Sequence, residues 1–134
     1  MKKFESETII EIPFYDVDPM NVVWHGNYIK YLENARCDLF KLIDYTYYDM
    51  DYDGVFYPIA KMDLKFIKSC SFGQKIKVKA VLEEIEPCII IKYTISDYES
   101  GELLFKAKSM QICVDKTTRK SIYSCPEKLS CAVN

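Results

Sequence analysis

The apolar period of this chain changes once, and the change fixes what the rest can do. Up to Phe14 the pattern suits an extended strand. Asp16, Asp18 and Pro19 then interrupt it, and proline cannot donate to a ladder. Asn21 stands where the chain must turn, and asparagine tolerates left-handed backbone better than most residues. From about His25, Tyr28, Leu32, Ala35, Leu39 and Leu42 recur at steps of three and four, with Ile29, Arg36, Phe40 and Ile43 beside them. That spacing predicts one long helix with a wide apolar stripe. At about 1.5 Å per residue it runs roughly 28 Å, enough to cross a small domain. Every other element has to pack around it.

The interrupting loop delivers the Asp18 carboxylate just before the N-terminus of that helix, where oriented backbone N–H groups favour developing negative charge. A base or nucleophile beside an oxyanion-binding helix end suits a hydrolytic site. By spacing alone, Asp18 reads sooner as a turn or capping carboxylate than as a catalytic one. Asp16, two residues away, points to the opposite side on an extended backbone and reads as structural, accepting N–H bonds that hold the loop.

The remaining chain reads as strands. Residues 4–14 place Phe4, Ile10 and Ile12 on one parity against Glu5, Glu7 and Glu11. Residues 44–54 form an acidic, aromatic connection with a short helical turn. Residues 56–67, 75–85, 88–97 and 102–115 follow as strands, with turns at Ser69–Gly73, Glu86–Pro87 and Glu99–Gly101. The last strand slips parity between Ala107 and Met110, which suggests a bulge. From Pro126 the tail adds a helical turn. The order is strand, long helix, then four strands in an antiparallel meander: an α+β fold, one helix covering one face of a curved sheet, in a single domain over residues 1–134.

Composition excludes several classes. With 18 basic and 20 acidic residues, the net charge of −2 gives no field for nucleic acid. The N-terminal segment has no apolar signal core and no run approaches membrane-spanning length, so the expected location is cytoplasmic, without a membrane partner. Cys37, Cys70, Cys88, Cys113, Cys125 and Cys131 never form Cys-x-x-Cys and His25 is the only histidine, so no metal site is expected and the thiols are read as free. Asp49, Asp51, Asp53 and Gly54 imitate the opening of a calcium loop, but its twelfth position is Ala60, which cannot ligate calcium.

Asp18, Pro19, Val22, Val23, His25, Asn27 and Tyr28, followed on the helix by Glu33, Ala35 and Arg36, resemble the hotdog-fold acyl-CoA thioesterases of the 4-hydroxybenzoyl-CoA thioesterase-like group. Asn21 replaces that group's usual glycine. The resemblance implies a sheet of about five strands wrapping a central helix, in subunits that join their sheets side by side as a homodimer or homotetramer. It also implies hydrolysis of acyl-CoA to a carboxylic acid and coenzyme A with no separate cofactor, and an apolar acyl pocket at the subunit interface. Asp18 would be the nucleophile or general base, and His25 a second catalytic group. His25 and Gly26 would offer backbone N–H groups to the carbonyl oxygen. Tyr28 and Glu33 are substrate-binding candidates with structural alternatives: Tyr28 has the spacing of a core residue, and Glu33 can pair with Arg36 or Lys30. Lys61, Lys65, Lys68, Lys106, Lys108 and Arg119 are open candidates for the coenzyme A phosphates. Two rival functions share the fold: a non-catalytic acyl-thioester binder, which ordinarily carries an appended DNA-binding domain, and a dehydratase or hydratase acting on acyl thioesters.

Overall fold

A computed structural model describes all residues, 1–134. The elements are β1 (Glu5–Glu11), a 3-10 turn (Phe14–Asp16), α1 (Asn27–Ile43), α2 (Tyr47–Tyr52), β2 (Val55–Phe56), β3 (Ile59–Phe66), β4 (Lys75–Glu84), β5 (Ile89–Asp97), β6 (Leu103–Gln111), β7 (Cys113–Asp115), β8 (Ser121–Ile122) and α3 (Glu127–Val133). Five strands form one antiparallel sheet in the order β1-β4-β5-β6-β3, and β2, β7 and β8 form a smaller one. This is the expected α+β arrangement, with α1 packed mainly on β1 and β4. No helix is long and apolar enough to cross a membrane.

The helix stripe is buried through Tyr28, Tyr31, Leu32, Ala35, Leu39, Phe40 and Ile43. Beneath it lie Ile76, Val78, Ala80 and Leu82 of β4, on the parity the alternation predicts. Polar ties fix the helix on the first strand: Ser6 Oγ donates to the Ala35 carbonyl at 3.1 Å and Thr8 Oγ1 to Asp38 Oδ2 at 2.5 Å. Leu42 departs from expectation. It is 55 % exposed, while Phe40 and Ile43 of the same turn are buried, so the inward face of the last turn passes through those two residues instead.

Three strand expectations need correcting. The meander holds only for β4, β5 and β6; β3 pairs with β6 at the far edge, so residues 67–74 cross the sheet rather than close a hairpin. That crossing is pinned under the start of α1: Cys70 N donates to Tyr28 Oη at 3.2 Å, and Val23 N donates to the Cys70 carbonyl at 2.9 Å. The strands expected at 56–67 and 102–115 are each cut in two, at Pro58 and Ile112. These residues face each other, and Ile112 N donates to the Pro58 carbonyl at 3.2 Å. Pro58 has no N–H to continue the ladder, so both strands leave the large sheet at one level and pair again as β2 and β7. The slip expected between Ala107 and Met110 is absent, for the register there is continuous. Met110 merely looked like a core residue; Ser109 and Gln111 face inward instead.

The acidic connection contains α2, begun by a capping box in which Thr46 N donates to Asp49 Oδ2 at 2.8 Å. Asp49 also pairs with Lys128 of α3, which accounts for one carboxylate of the calcium-like run.

The two leucines of the stripe separate packing from pattern. Leu39→Ala should lower the unfolding free energy by about 3 kcal/mol, within the range for buried leucines. Leu42→Ala should cost less than about 1 kcal/mol. Urea unfolding of both variants measures the difference; equal losses would mean the end of the helix is covered.

Candidate active site

The loop before α1 is built around two carboxylates that face opposite ways. Asp16 is 3 % exposed. Its Oδ1 accepts from Lys30 Nζ at 2.6 Å and its Oδ2 from the Tyr31 hydroxyl at 2.7 Å, so the side chain grips the first turn of the helix. Its carbonyl accepts from Trp24 N at 3.1 Å and from Asn27 Nδ2 at 2.8 Å. Asp16 therefore holds the loop as expected, although side-chain donors meet its carboxylate and N–H groups meet its carbonyl. Burial, then the bond to Asp16, raises the pKa of Tyr31 far above its ordinary value.

Asp18 lies on the other side. Its Oδ1 accepts from Met20 N at 2.8 Å and Val22 N at 3.2 Å, while Oδ2 has no partner within the chain. The turn is closed by Asp18 N donating to the Val22 carbonyl at 2.9 Å. Asn21 takes the left-handed conformation at φ 60°, and its Oδ1 accepts from Phe72 N at 3.0 Å. The turn reading of Asp18 is thus real, yet it occupies only one of the two carboxylate oxygens.

Asp18 borders a pocket of about 280 Å³. One wall comes from Asp18, Val22, Val23, Trp24, His25 and Tyr28; the other is Phe66, Ile67, Lys68 and Ser69 at the end of β3. Three of the sequence candidates, Asp18, His25 and Tyr28, therefore meet. Tyr28 is buried, stacked on Phe105 at 4.8 Å with the rings 9° apart. Burial pushes its pKa up to about 12, so it stays a neutral hydroxyl. The backbone N–H groups of His25 and Gly26 find no acceptor within the chain. They lie at the start of α1, where the helix dipole favours an anionic oxygen. Gly26 has an ordinary right-handed backbone, φ −65°. The close approach it permits is that of the Trp24 ring, which lies 2.1 Å from where a Cβ would stand.

Glu33 is not brought to this pocket. It pairs with Arg36, and both line a separate cavity of about 930 Å³ beside α2 and the small sheet. Of the basic candidates only Lys68 borders the Asp18 pocket, held by Glu102 at 2.9 Å, and Arg119 borders the larger cavity. Lys65, Lys106 and Lys108 gather with Lys92 in a shallow depression of the large sheet. Sequence reasoning did not foresee Trp24 or residues 66–69 as pocket walls. The aromatic beside His25 was a usable signal; the far wall, more than forty residues on, had none.

Trp24 is the chain's one tryptophan, so its fluorescence reports on this pocket. In Gly26→Ala the added methyl must push the indole aside. The ring is half exposed and can yield, so the fold should persist at a cost of roughly 1–2 kcal/mol. Its emission should shift while the far-ultraviolet circular dichroism stays the same. Unchanged emission would mean the ring does not rest on Gly26.

The family profile described as the thioesterase-like superfamily matches residues 12–130. YneP of Bacillus subtilis (strain 168), for which acyl-CoA thioesterase activity is proposed, is 32 % identical over 118 residues, 87 % of this chain and 85 % of that protein. The crystal structure of a DHNA-CoA thioesterase from Staphylococcus aureus superposes with a TM-score of 0.81 at 32 % identity, covering 89 % of this chain and 80 % of that one. A 4-hydroxybenzoyl-CoA thioesterase, solved as a mutant with its substrate, shares the fold at a TM-score of 0.84 and 16 % identity, covering 97 % of this chain and 99 % of that one. With the profile spanning most of the sequence and the fold matched end to end, the chain belongs to the thioesterase-like superfamily, on the hotdog fold.

Proposed function

We propose that residues 1–134 act as a single hotdog thioesterase domain that hydrolyses acyl-CoA thioesters to a carboxylic acid and coenzyme A. The observation that carries this reading is that Asp18, with one carboxylate oxygen unbonded, lines one pocket with His25 at the start of a helix whose preceding N–H groups are unclaimed. The names of the relatives, thioesterases acting on or proposed to act on coenzyme A esters, support the same reaction.

In the reaction the thioester carbonyl oxygen accepts from the N–H groups of His25 and Gly26. Negative charge that develops there is stabilised by donors already in place. Met20 N and Val22 N fix one oxygen of Asp18 and leave the other either to attack the carbonyl, giving an acyl-enzyme anhydride that water then hydrolyses, or to take a proton from the water that attacks the carbonyl in its place. The C–S bond then breaks, and the thiolate of coenzyme A leaves and takes up a proton. The His25 ring, at the pocket mouth beside Trp24, orients the thioester or the water. Tyr28 positions rather than reacts: its hydroxyl is committed to Cys70 N and its ring to Phe105. Lys68 is the basic residue best placed to meet a phosphate of coenzyme A. No separate cofactor or metal enters this scheme, and the proposed location is cytoplasmic.

The pocket's far wall belongs to β3, whose outer edge pairs with nothing in this chain and whose Ile59, Leu64 and Phe66 are exposed. An edge of that length with apolar residues is a template for another strand. It supports assembly of two copies, or two pairs, with the acyl group held at their interface.

Two measurements test the proposal. Asp18→Asn keeps the size of the side chain and its turn but removes basicity and nucleophilicity. Its kcat for the best substrate in an acyl-CoA screen should fall at least about a hundredfold. Release of coenzyme A, followed with a thiol-reactive dye, is the readout, and near-normal turnover would sink the assignment. Light scattering at micromolar concentration should give the mass of a dimer or more; a monomer would remove both the strand pairing and the interfacial pocket.

A further inference from the structure

The loop before α1 is a small hairpin. Val17 and Val23 form an antiparallel bridge, Asp18 N donates to the Val22 carbonyl at 2.9 Å, and Trp24 N donates to the Asp16 carbonyl at 3.1 Å. Asp18 stands on one arm; His25 and Gly26 follow directly from the end of the other. Two short arms paired only with each other are weakly held. Their open end, between Asp16 and Trp24, is closed by Asn27, the first residue of α1. Asn27 Nδ2 donates to the Asp16 carbonyl at 2.8 Å, and Asn27 N donates to the Trp24 carbonyl at 2.9 Å. Asp16, Trp24 and Asn27 are thereby joined in a ring of three hydrogen bonds, of which one comes from a side chain.

Only His25 and Gly26 stand between Trp24 and Asn27, and theirs are the N–H groups that find no acceptor. The ring fixes the residue on either side of that pair. It also fixes the Asp16 carbonyl, from which the first arm runs two residues on to Asp18. The Asn27 amide therefore joins the arm that carries the carboxylate to the turn that carries the free donors. Donors aimed in advance at a developing charge need no reorganisation during the reaction, and a misplacement of about 1 Å can cost roughly a hundredfold in rate. We propose that Asn27 is a positioning residue for the hydrolysis, whose side-chain amide holds the His25 and Gly26 N–H groups in register with the Asp18 carboxylate. The proposal rests on the thioesterase reading. The fold does not need this bond, because Lys30 and Tyr31 already hold the loop to the helix through the Asp16 carboxylate. Losing the amide should loosen the register of the two halves and leave the helix in place.

Two substitutions separate positioning from structure. Asn27→Ala deletes the amide. Asn27→Asp keeps its shape and sets a carboxylate in the first turn of α1, where the helix dipole favours it, but has no N–H to donate. A purely structural role would therefore leave Asn27→Asp closer to the parent protein than Asn27→Ala. With the best substrate of an acyl-CoA screen, both variants should lower kcat about tenfold, the worth of one hydrogen bond, while KM stays within about twofold. Infrared difference spectroscopy reads the carbonyl directly. An acyl-CoA carrying carbon-13 at the thioester carbonyl is bound to Asp18→Asn, which turns it over slowly. Its carbonyl stretch should lie below that of the free ester, and adding Asn27→Ala should return it at least about halfway, since the donors no longer meet the oxygen in fixed geometry. Parent-like kcat in Asn27→Asp, a loss carried by KM alone, or the same stretch with and without Asn27→Ala overturns the proposal. If the stretch in Asp18→Asn equals that of the free ester, or no ester in the screen is hydrolysed, the thioesterase reading itself fails and this inference falls with it.

Discussion

The buried carboxylate of Asp16 is the contact on which the rest depends. Taking a charged group out of water is costly unless partners replace the water. Here Lys30 and Tyr31 supply both, one turn into the helix, and the carbonyl of the same residue ties down Trp24 and Asn27. One residue therefore sets the angle at which the loop meets α1. The alternation of an extended backbone then sends Asp18 to the other side, where only turn N–H groups meet it. The structural carboxylate and the candidate catalytic one are thus separated by two residues and by direction, and they meet different partners.

The helix was legible because a 3.6-residue apolar period over seventeen residues has few other readings. Asn21 was legible because a left-handed turn selects few residue types. Asp18, His25 and Tyr28 could be grouped from their common motif. The failures are equally physical. The expected stripe omits Tyr31, although it stands three residues after Tyr28 and four before Ala35 on the same apolar face; its buried hydroxyl is satisfied by Asp16, fifteen positions earlier. The parity slip expected between Ala107 and Met110 is absent because polarity stands in for exposure only where no internal partner exists; the buried Ser109 has Tyr93 and the buried Gln111 has the Tyr57 carbonyl. Residues 66–69 gave no sign of their place in the pocket, since a crossing connection looks like any other turn in sequence. Glu33 sat on the motif helix, but eight residues past His25 a side chain is about 12 Å further along the axis.

Pro58 has effects at both ends of the cavity. Its missing N–H ends the ladder, the partner strand breaks opposite it at Ile112, and the two continue as a separate small sheet. Where strands part in this way, the space between the sheets is not closed by regular pairing. Tyr57 and Gln111 are the residues immediately before the two breaks, and both line that space.

Phe66 belongs at once to the pocket wall and to the end of the open edge strand, and Ile67, Lys68 and Ser69 continue that wall directly from it. A second copy docked along this edge, as proposed above, would stiffen the wall of a pocket it need not touch, and its departure would release that wall. Under that assembly, catalytic output per polypeptide would depend on how dilute the protein is as well as on its sequence, with no change in any reacting group.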